Sequence, residues 1–310
     1  MNDNFKKKYI VATRPSLLAF TQTEQTVNKL REKNPDCEFE IIKFSTHGDK
    51  VTDKPLTEFG GTGVFVKELE NAILEGKADF AIHSLKDVPS DQPSGLILAC
   101  FPKREDPRDI VLTKSCKSLI ELDDNCIIGT GSPRRIVQIA QFKPNAKFKD
   151  LRGNIDTRLK KLHEEDYDAI VLAAAGMKRL GKEIPHNAYL PVEGFVPAIG
   201  QGIIGIECKS DDYETIEMLR TINSNESELA ARAERSFMKT IGGGCKFPLA
   251  AYATINDNIL TLSVMLGNHI TYLIHKETAS SELSISEQLG IDLAMKIKAI
   301  AGDLGITLNI

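Results

Sequence analysis

Tryptophan is absent from the sequence, and so are low-complexity segments and any internal repeat period, which removes solenoid architectures. No apolar stretch approaches the ~20 residues of a membrane span, and the short apolar run after the basic start MNDNFKKK falls well short of a signal peptide. The six cysteines include no CxxC pair, and neither they nor His47, His83, His163, His186, His269 and His275 show metal-ligand spacing. A zinc or other metal centre is therefore not expected, and a cytoplasmic protein with reduced thiols is. No charge dominates either: 39 Lys and Arg stand against 43 Asp and Glu, a net charge of −4. No bulk field draws such a chain to nucleic acid or to anionic lipid, so any anion it binds must be met by a local cluster. GGTG at 60–63 lacks the GK[ST] of a phosphate loop, GTGS at 129–132 lacks the third glycine and the acid of a dinucleotide site, and no G-x-S-x-G occurs.

What is present is an ordinary globular composition, 42% hydrophobic and 26% charged, in a chain long enough for two or three domains. Strand and helix patterns alternate. KYIVAT reads as a strand ending at Arg14, followed by a helix that places Leu17, Leu18, Thr21, Gln25 and Leu30 near one face, and then FEIIKFST as a second strand. Next, VFVKELENAILEG spaces Phe65, Leu69, Ala72 and Ile73 for a helix, and DFAIHSL reads as a buried strand, with His83 a satisfied core residue. This βαβαβ order predicts a parallel sheet. A second such unit runs from NCIIGT to DAIVLAAAG, with Ser132 as N-cap and Pro133 as first helical residue. After about residue 222 the texture changes to α+β: a helix stopping at the glycines 242–244, a hairpin around NDN, and a last helix over SEQLGIDLAMKIKAIAG.

Ligands of open α/β sheets collect where strands lead into helices. Those points here carry Arg14 and Ser16; His83, Ser84, Lys86 and Asp87; Thr130, Ser132, Arg134 and Arg135; Arg152, Asn154 and Arg158; and Lys178 and Arg179. Arginine in a first helical turn opposes the helix dipole, so Arg134 and Arg135 call for a nearby anion, and guanidinium geometry suits carboxylate or phosphate. Asp87 stands among these cations, either as a turn acid bonding backbone amides two residues on or as a group that stabilises positive charge or carries a proton. Cys245 stands apart from Cys37, Cys100, Cys116, Cys126 and Cys208, which read as small hydrophobes. It follows three glycines and precedes Lys246, which favours the thiolate, although such a cysteine taken alone is more often a turn residue than a reaction centre.

HSLKDVPS, REDPRDIVL, GTGSPRR, LRGNIDTRLKKL, AAAGMKRLG, PAIGQGIIGIE and ERSFMKTIGGGCKFPLAAYA, in this order and across nearly the whole chain, resemble hydroxymethylbilane synthase, also called porphobilinogen deaminase. The resemblance implies two doubly wound α/β lobes like a type II periplasmic binding protein, with the active site in their cleft, plus a small C-terminal α+β domain. It divides the chain into residues 1–102 with 201–220, residues 103–200, and residues 221–310 carrying the cysteine loop. It also implies a cytoplasmic monomer that binds neither nucleic acid nor membrane. In that family the loop cysteine, here Cys245, holds a dipyrromethane cofactor through a thioether. Four porphobilinogen units are added with loss of ammonia, and hydrolysis releases hydroxymethylbilane.

Carried over by motif, Asp87 is the catalytic acid; Lys86, Thr130, Ser132, Arg134, Arg135 and Arg158 meet the cofactor; and Arg14, Ser16, Arg152, Arg179 and Gln201 meet substrate carboxylates. Each pyrrole bears an acetate and a propionate, so a row of cations is the chemical complement of the growing chain. The chain departs from the family pattern at Thr62, where lysine is usual, at Gly131 and Pro133 within GTGSPRR, and at Lys246, where glutamine is frequent. A non-catalytic binding protein for a polycarboxylate accounts for the arginines and the fold, but leaves Cys245 and Asp87 unexplained.

Overall fold

Strand β1 (Lys8–Thr13) opens the structure, a computed structural model that describes residues 8–45, 63, 66–242 and 247–306. In chain order follow α1 (Leu17–Lys33), β2 (Glu38–Lys43), α2 (Lys67–Leu74), β3 (Phe80–Ser84), β4 (Leu96–Cys100) and β5 (Asp109–Thr113). Then come β6 (Ile127–Gly129), α3 (Pro133–Ala140), β7 (Lys147–Lys149), α4 (Ile155–Glu164), β8 (Ala169–Ala173) and α5 (Ala174–Arg179). The chain continues through β9 (Ile204–Lys209), α6 (Tyr213–Arg220), α7 (Asn225–Ile241), β10 (Leu249–Asn256), β11 (Ile259–Gly267), β12 (Ile274–Glu282) and α8 (Ser286–Ile300). These elements form two units, Met1–Glu105 with Ile203–Ala231 and Asp106–Gly202 with Arg232–Ile310.

The first unit holds a five-stranded sheet of order β2-β1-β3-β9-β4. The crossovers through α1 and α2 make β1, β2 and β3 parallel, as the alternation predicts. The rest of the sheet corrects that expectation. β9, where the chain re-enters this unit, lies antiparallel between β3 and β4, so the sheet is mixed. Without tryptophan, its core is anchored by Tyr9, Phe39 and Phe80, with Tyr9 stacked on Phe39 at 5.6 Å. The face buried by α1 also differs from the expected one. Ala19, Gln22, Thr23, Thr26, Val27 and Leu30 point inward, while Leu17 is exposed. Polar threonines hide this face from a hydrophobicity reading; the Thr26 hydroxyl satisfies itself on Gln22 O at 2.7 Å and the Thr23 hydroxyl on that of Thr13.

In the second unit, a four-stranded sheet of order β5-β8-β6-β7 is again mixed, with only β5 antiparallel. The same unit contains the antiparallel sheet β10-β11-β12, joined to it by a cluster of Val137, Val196, Ala250 and Met265. The predicted hairpin forms around Asp257 and Asn258, both at positive φ. β12 escaped the sequence reading because IHKETASSE buries none of its side chains and becomes a strand only by pairing with β11. Gly290 lets α8 approach the end of α7 closely, since a Cβ there would collide with Ala233 O and the Ser236 hydroxyl. Among the described residues, no helix is long and apolar enough to cross a membrane.

Candidate active site

The first cluster is assembled at the ends of β1 and β3. Thr13 closes β1 by bonding to Thr23 Oγ1 at 2.7 Å and to Ala19 O at 3.3 Å, which locks the strand end onto α1. Ser16 caps α1, its hydroxyl accepting from Ala19 N at 3.3 Å. β3 ends at Ser84, whose hydroxyl donates to Gln22 Oε1 at 3.0 Å, and one turn of 3-10 helix, Leu85–Asp87, follows. Leu85 is buried under this turn, so Lys86 and Asp87 are exposed on it. Arg14, Ser16, Gln22, His83, Ser84 and Asp87 line a single cavity. Asp87 is not serving as a turn acid on the amide two residues on, because that residue is Pro89 and has no N–H.

Behind this cavity lies a buried polar cluster that the sequence reading missed. His83 Nε2 is 3.1 Å from Glu207 Oε2, with both residues nearly inaccessible, and Gln92 Nε2 donates to Glu207 Oε1 at 2.8 Å. His83 is thus the hydrogen-bonded core residue that was expected. Burial, and then the charge of Glu207, push the nearby carboxyl of Glu70 up to about 7. The one available signal for Glu207 was an acid inside the apolar run GIIGIEC.

The second cluster lies in the other unit. Ser132 sits at the N-cap of α3 and Pro133 at its first position, as predicted, although the Ser132 side chain makes no capping bond. Its amide instead donates to the hydroxyl of Thr130 at 3.2 Å. Arg134 and Arg135 are buried and have the anion they require in Asp109, at the start of β5. Arg135 also donates to Val171 O, and Arg134 to Val196 O, each at 2.8 Å. Burial raises the Asp109 carboxyl, but the two guanidiniums outweigh it and hold the group at about 2.

Arg152 and Arg158 are only half-buried. Arg152 Nε lies 2.7 Å from Asp150 Oδ2, and Asp150 occupies the space that a Cβ on Gly131 would need. The lack of a Cβ at Gly131 leaves room for the acid that holds Arg152. Arg158 Nε donates to Gly153 O at 2.7 Å; Gly153 has a φ of +108°, and a Cβ there would strike Thr157, so this turn requires glycine. Arg179 donates to Gly202 O at 2.8 Å and Gln201 to Pro107 O at 2.7 Å. Lys178 and Arg108 converge on Asp106 at 3.0 and 2.7 Å. Cys245, Lys246 and Thr62 lie outside the described residues. Burial pushes the Cys100 and Cys208 thiols up to about 12, as suits inert hydrophobes, whereas Cys116 is exposed, contrary to expectation.

Residues 9–217 match the family described as "Porphobilinogen deaminase, dipyromethane cofactor binding domain", and residues 228–299 match its C-terminal domain. The chain belongs to the porphobilinogen deaminase family. It is 44% identical over 299 residues to the porphobilinogen deaminase of Brevibacillus brevis, covering 96% of each chain. It is 49% identical over 251 residues to that of Macrococcus caseolyticus, covering 80% of this chain and 81% of the relative. Among solved structures, a YaeC-family lipoprotein from Enterococcus faecalis aligns over 74% of this chain and 97% of its own, at 13% identity and a TM-score of 0.43. Porphobilinogen deaminases are transferases with a dipyrromethane cofactor, so the chain belongs to a family of enzymes and not of non-catalytic binding proteins.

The donor sets fit a porphobilinogen deaminase cofactor, a group bearing acetate and propionate carboxylates. Arg14 and Ser16 line the same cavity as Asp87, with Lys86 exposed on the turn that carries the acid, which suits carboxylates. Arg134 and Arg135 have so little exposed surface, and so many bonds to Asp109 and backbone carbonyls, that their geometry is set from within the protein.

Proposed function

We propose that this chain is a hydroxymethylbilane synthase that deaminates porphobilinogen and joins four units onto a dipyrromethane held by Cys245. The observation that carries the reading is the placement of Asp87 and Arg14 on one cavity wall, in a chain that matches both domain descriptions of the family. When bound, the cofactor supplies the pyrrole carbon at which the chain grows. Arg14, Ser16 and Lys86 orient carboxylates beside Asp87. The Asp87 carboxylate offsets the positive charge that develops on the substrate carbon as the C–N bond breaks and ammonia leaves with the electron pair. Arg152, Arg158, Arg179 and Gln201 receive the carboxylates of lengthening intermediates, while Thr130, Ser132, Arg134 and Arg135 complete the cofactor contacts. Residues 221–310 act as the domain that presents the cysteine loop, and the protein works as a cytoplasmic monomer.

The mass of the intact purified protein tests this reading. It should exceed the sequence mass by a two-pyrrole adduct, and Cys245→Ser should give a folded, inactive protein of sequence mass alone. An adduct on the serine variant would overturn the assignment of Cys245. Normal porphobilinogen consumption by that variant would overturn the mechanism.

A further inference from the structure

We propose that Glu207 is a positioning residue for Asp87, its carboxylate tying together the two ends of the turn that carries the acid. This rests on the role given to Asp87 above and adds a residue to it. Strand β3 enters the turn through His83, which lies 3.1 Å from one oxygen of Glu207. Past the turn, Gln92 donates to the other oxygen at 2.8 Å. Leu85, the first residue of the turn, is bonded through its amide to Ile203 O at 3.0 Å, immediately before the strand that bears Glu207. Lys86 and Asp87 are therefore held over a segment clamped from before, from beneath and from beyond.

Stability alone does not account for a carboxylate at this position. Glu207 is fully inaccessible and sits between Ile206 and Cys208 in an interior strand of the sheet, paired on both sides. Burying a charge there is costly, and a well-packed apolar side chain commonly does as well or better. The cost is visible at Glu70, whose own carboxyl is driven up to about 7 partly by the Glu207 charge. In antiparallel register Glu207 faces Ala81 and stands diagonal to His83, on the same side of the sheet. From that point its two oxygens reach His83 and Gln92 separately. Its bonds bracket residues 84–91, the segment whose exposed face carries the reacting acid.

Four variants of the full-length protein carrying its cofactor test this, assayed for ammonia release: Glu207→Leu, Glu207→Gln, Gln92→Leu and Asp87→Asn. Since a misplacement of about 1 Å can cost roughly 100-fold in rate, Glu207→Leu should lower kcat by ~10–100-fold with little change in KM. Glu207→Gln should recover most of kcat, because its amide oxygen can accept from Gln92 while its NH2 donates to a His83 ring nitrogen. Wild-type kcat in Glu207→Leu would overturn the proposal, as would equal losses in the leucine and glutamine variants, which would mean that charge and not bonding matters. Should Glu207→Leu fail to fold or to carry the adduct, Gln92→Leu decides: this half-buried side chain removes one tie only, and unchanged kcat in that variant overturns the proposal. Asp87→Asn separates the two levels. If it turns over normally, the role of Asp87 falls and the positioning of it falls too; if it is inactive while the Glu207 and Gln92 variants are normal, only the positioning falls.

Discussion

Arg135 grips Asp109 with two nitrogens on one oxygen, Nε at 2.9 Å and Nη2 at 2.7 Å, while Nη1 of the adjacent Arg134 lies 2.9 Å from the other oxygen. Two consecutive arginines at a helix start are thus neutralised in part by one buried acid at the start of a strand. This arrangement ties α3 to β5 and contributes to how the fold responds to acid.

Asp109→Asn should cost about 3–5 kcal/mol of stability, because it leaves two buried guanidiniums without their counter-charge. Denaturant unfolding at neutral pH measures it, and a loss below about 1 kcal/mol would contradict the buried-pair account. The pH dependence follows the same carboxyl. Its folded pKa, about 2, lies below the ordinary 3.8, so its contribution is complete above about pH 4 and drains away as pH falls towards 2. The asparagine variant should lack that part of the acid transition.

Glu70 should act in the opposite direction. Its folded pKa, about 7, lies above the ordinary 4.5, so stability is greatest below pH 4.5 and declines as pH rises to 7, by about 1.4 kcal/mol at most for each pH step of one between those values. Glu70→Gln should therefore gain stability over the parent at pH 8 and gain none at pH 4. A difference independent of pH would show that Glu70 is not being held neutral.

Asp87→Asn should fold and accept preassembled cofactor, yet lose turnover by roughly 100-fold or more, since electrostatic stabilisers of this kind supply a few kcal/mol. Asp87→Glu should keep more activity than the amide, because the charge survives. A turn role would give the reverse ranking, as asparagine suits turns nearly as well as aspartate. Ammonia release from the two variants discriminates between them in one assay.

Replacing Arg152 or Arg158 with leucine should stall elongation at particular lengths. The two guanidiniums are held by different partners, the Asp150 carboxylate and the Gly153 carbonyl, so they present charge from separate points. Native mass spectrometry of enzyme–intermediate complexes should show one species accumulating in each variant. An even distribution in both would argue against distinct roles.

Local spacing wrote much of this protein into its sequence. The β1-α1-β2 and β2-α2-β3 crossovers, the turn at Asp257 and Asn258, the end of α7 at Ile241 before Gly242 and the place of Asp87 just beyond a buried strand all depend on neighbours within a few positions. The motif order was sufficient to indicate the family, and with it the chemistry expected of Asp87 and Cys245. Contacts between distant segments were a different matter. The anion demanded by Arg134 and Arg135 was legible, but its identity was not, because Asp109 lies 26 positions from Arg135 and meets it only across the sheet and helix of its unit. The partners of Glu207 lie 124 and 115 positions away. Its role arises from β9 returning antiparallel between β3 and β4, a register that no local pattern specifies. Periodicity can report which residues share a face of one element, and even that failed for α1, where threonines bonded within the core occupy the inward face. What lies opposite that face is decided by where the chain comes back, and this is a property of packing the whole unit.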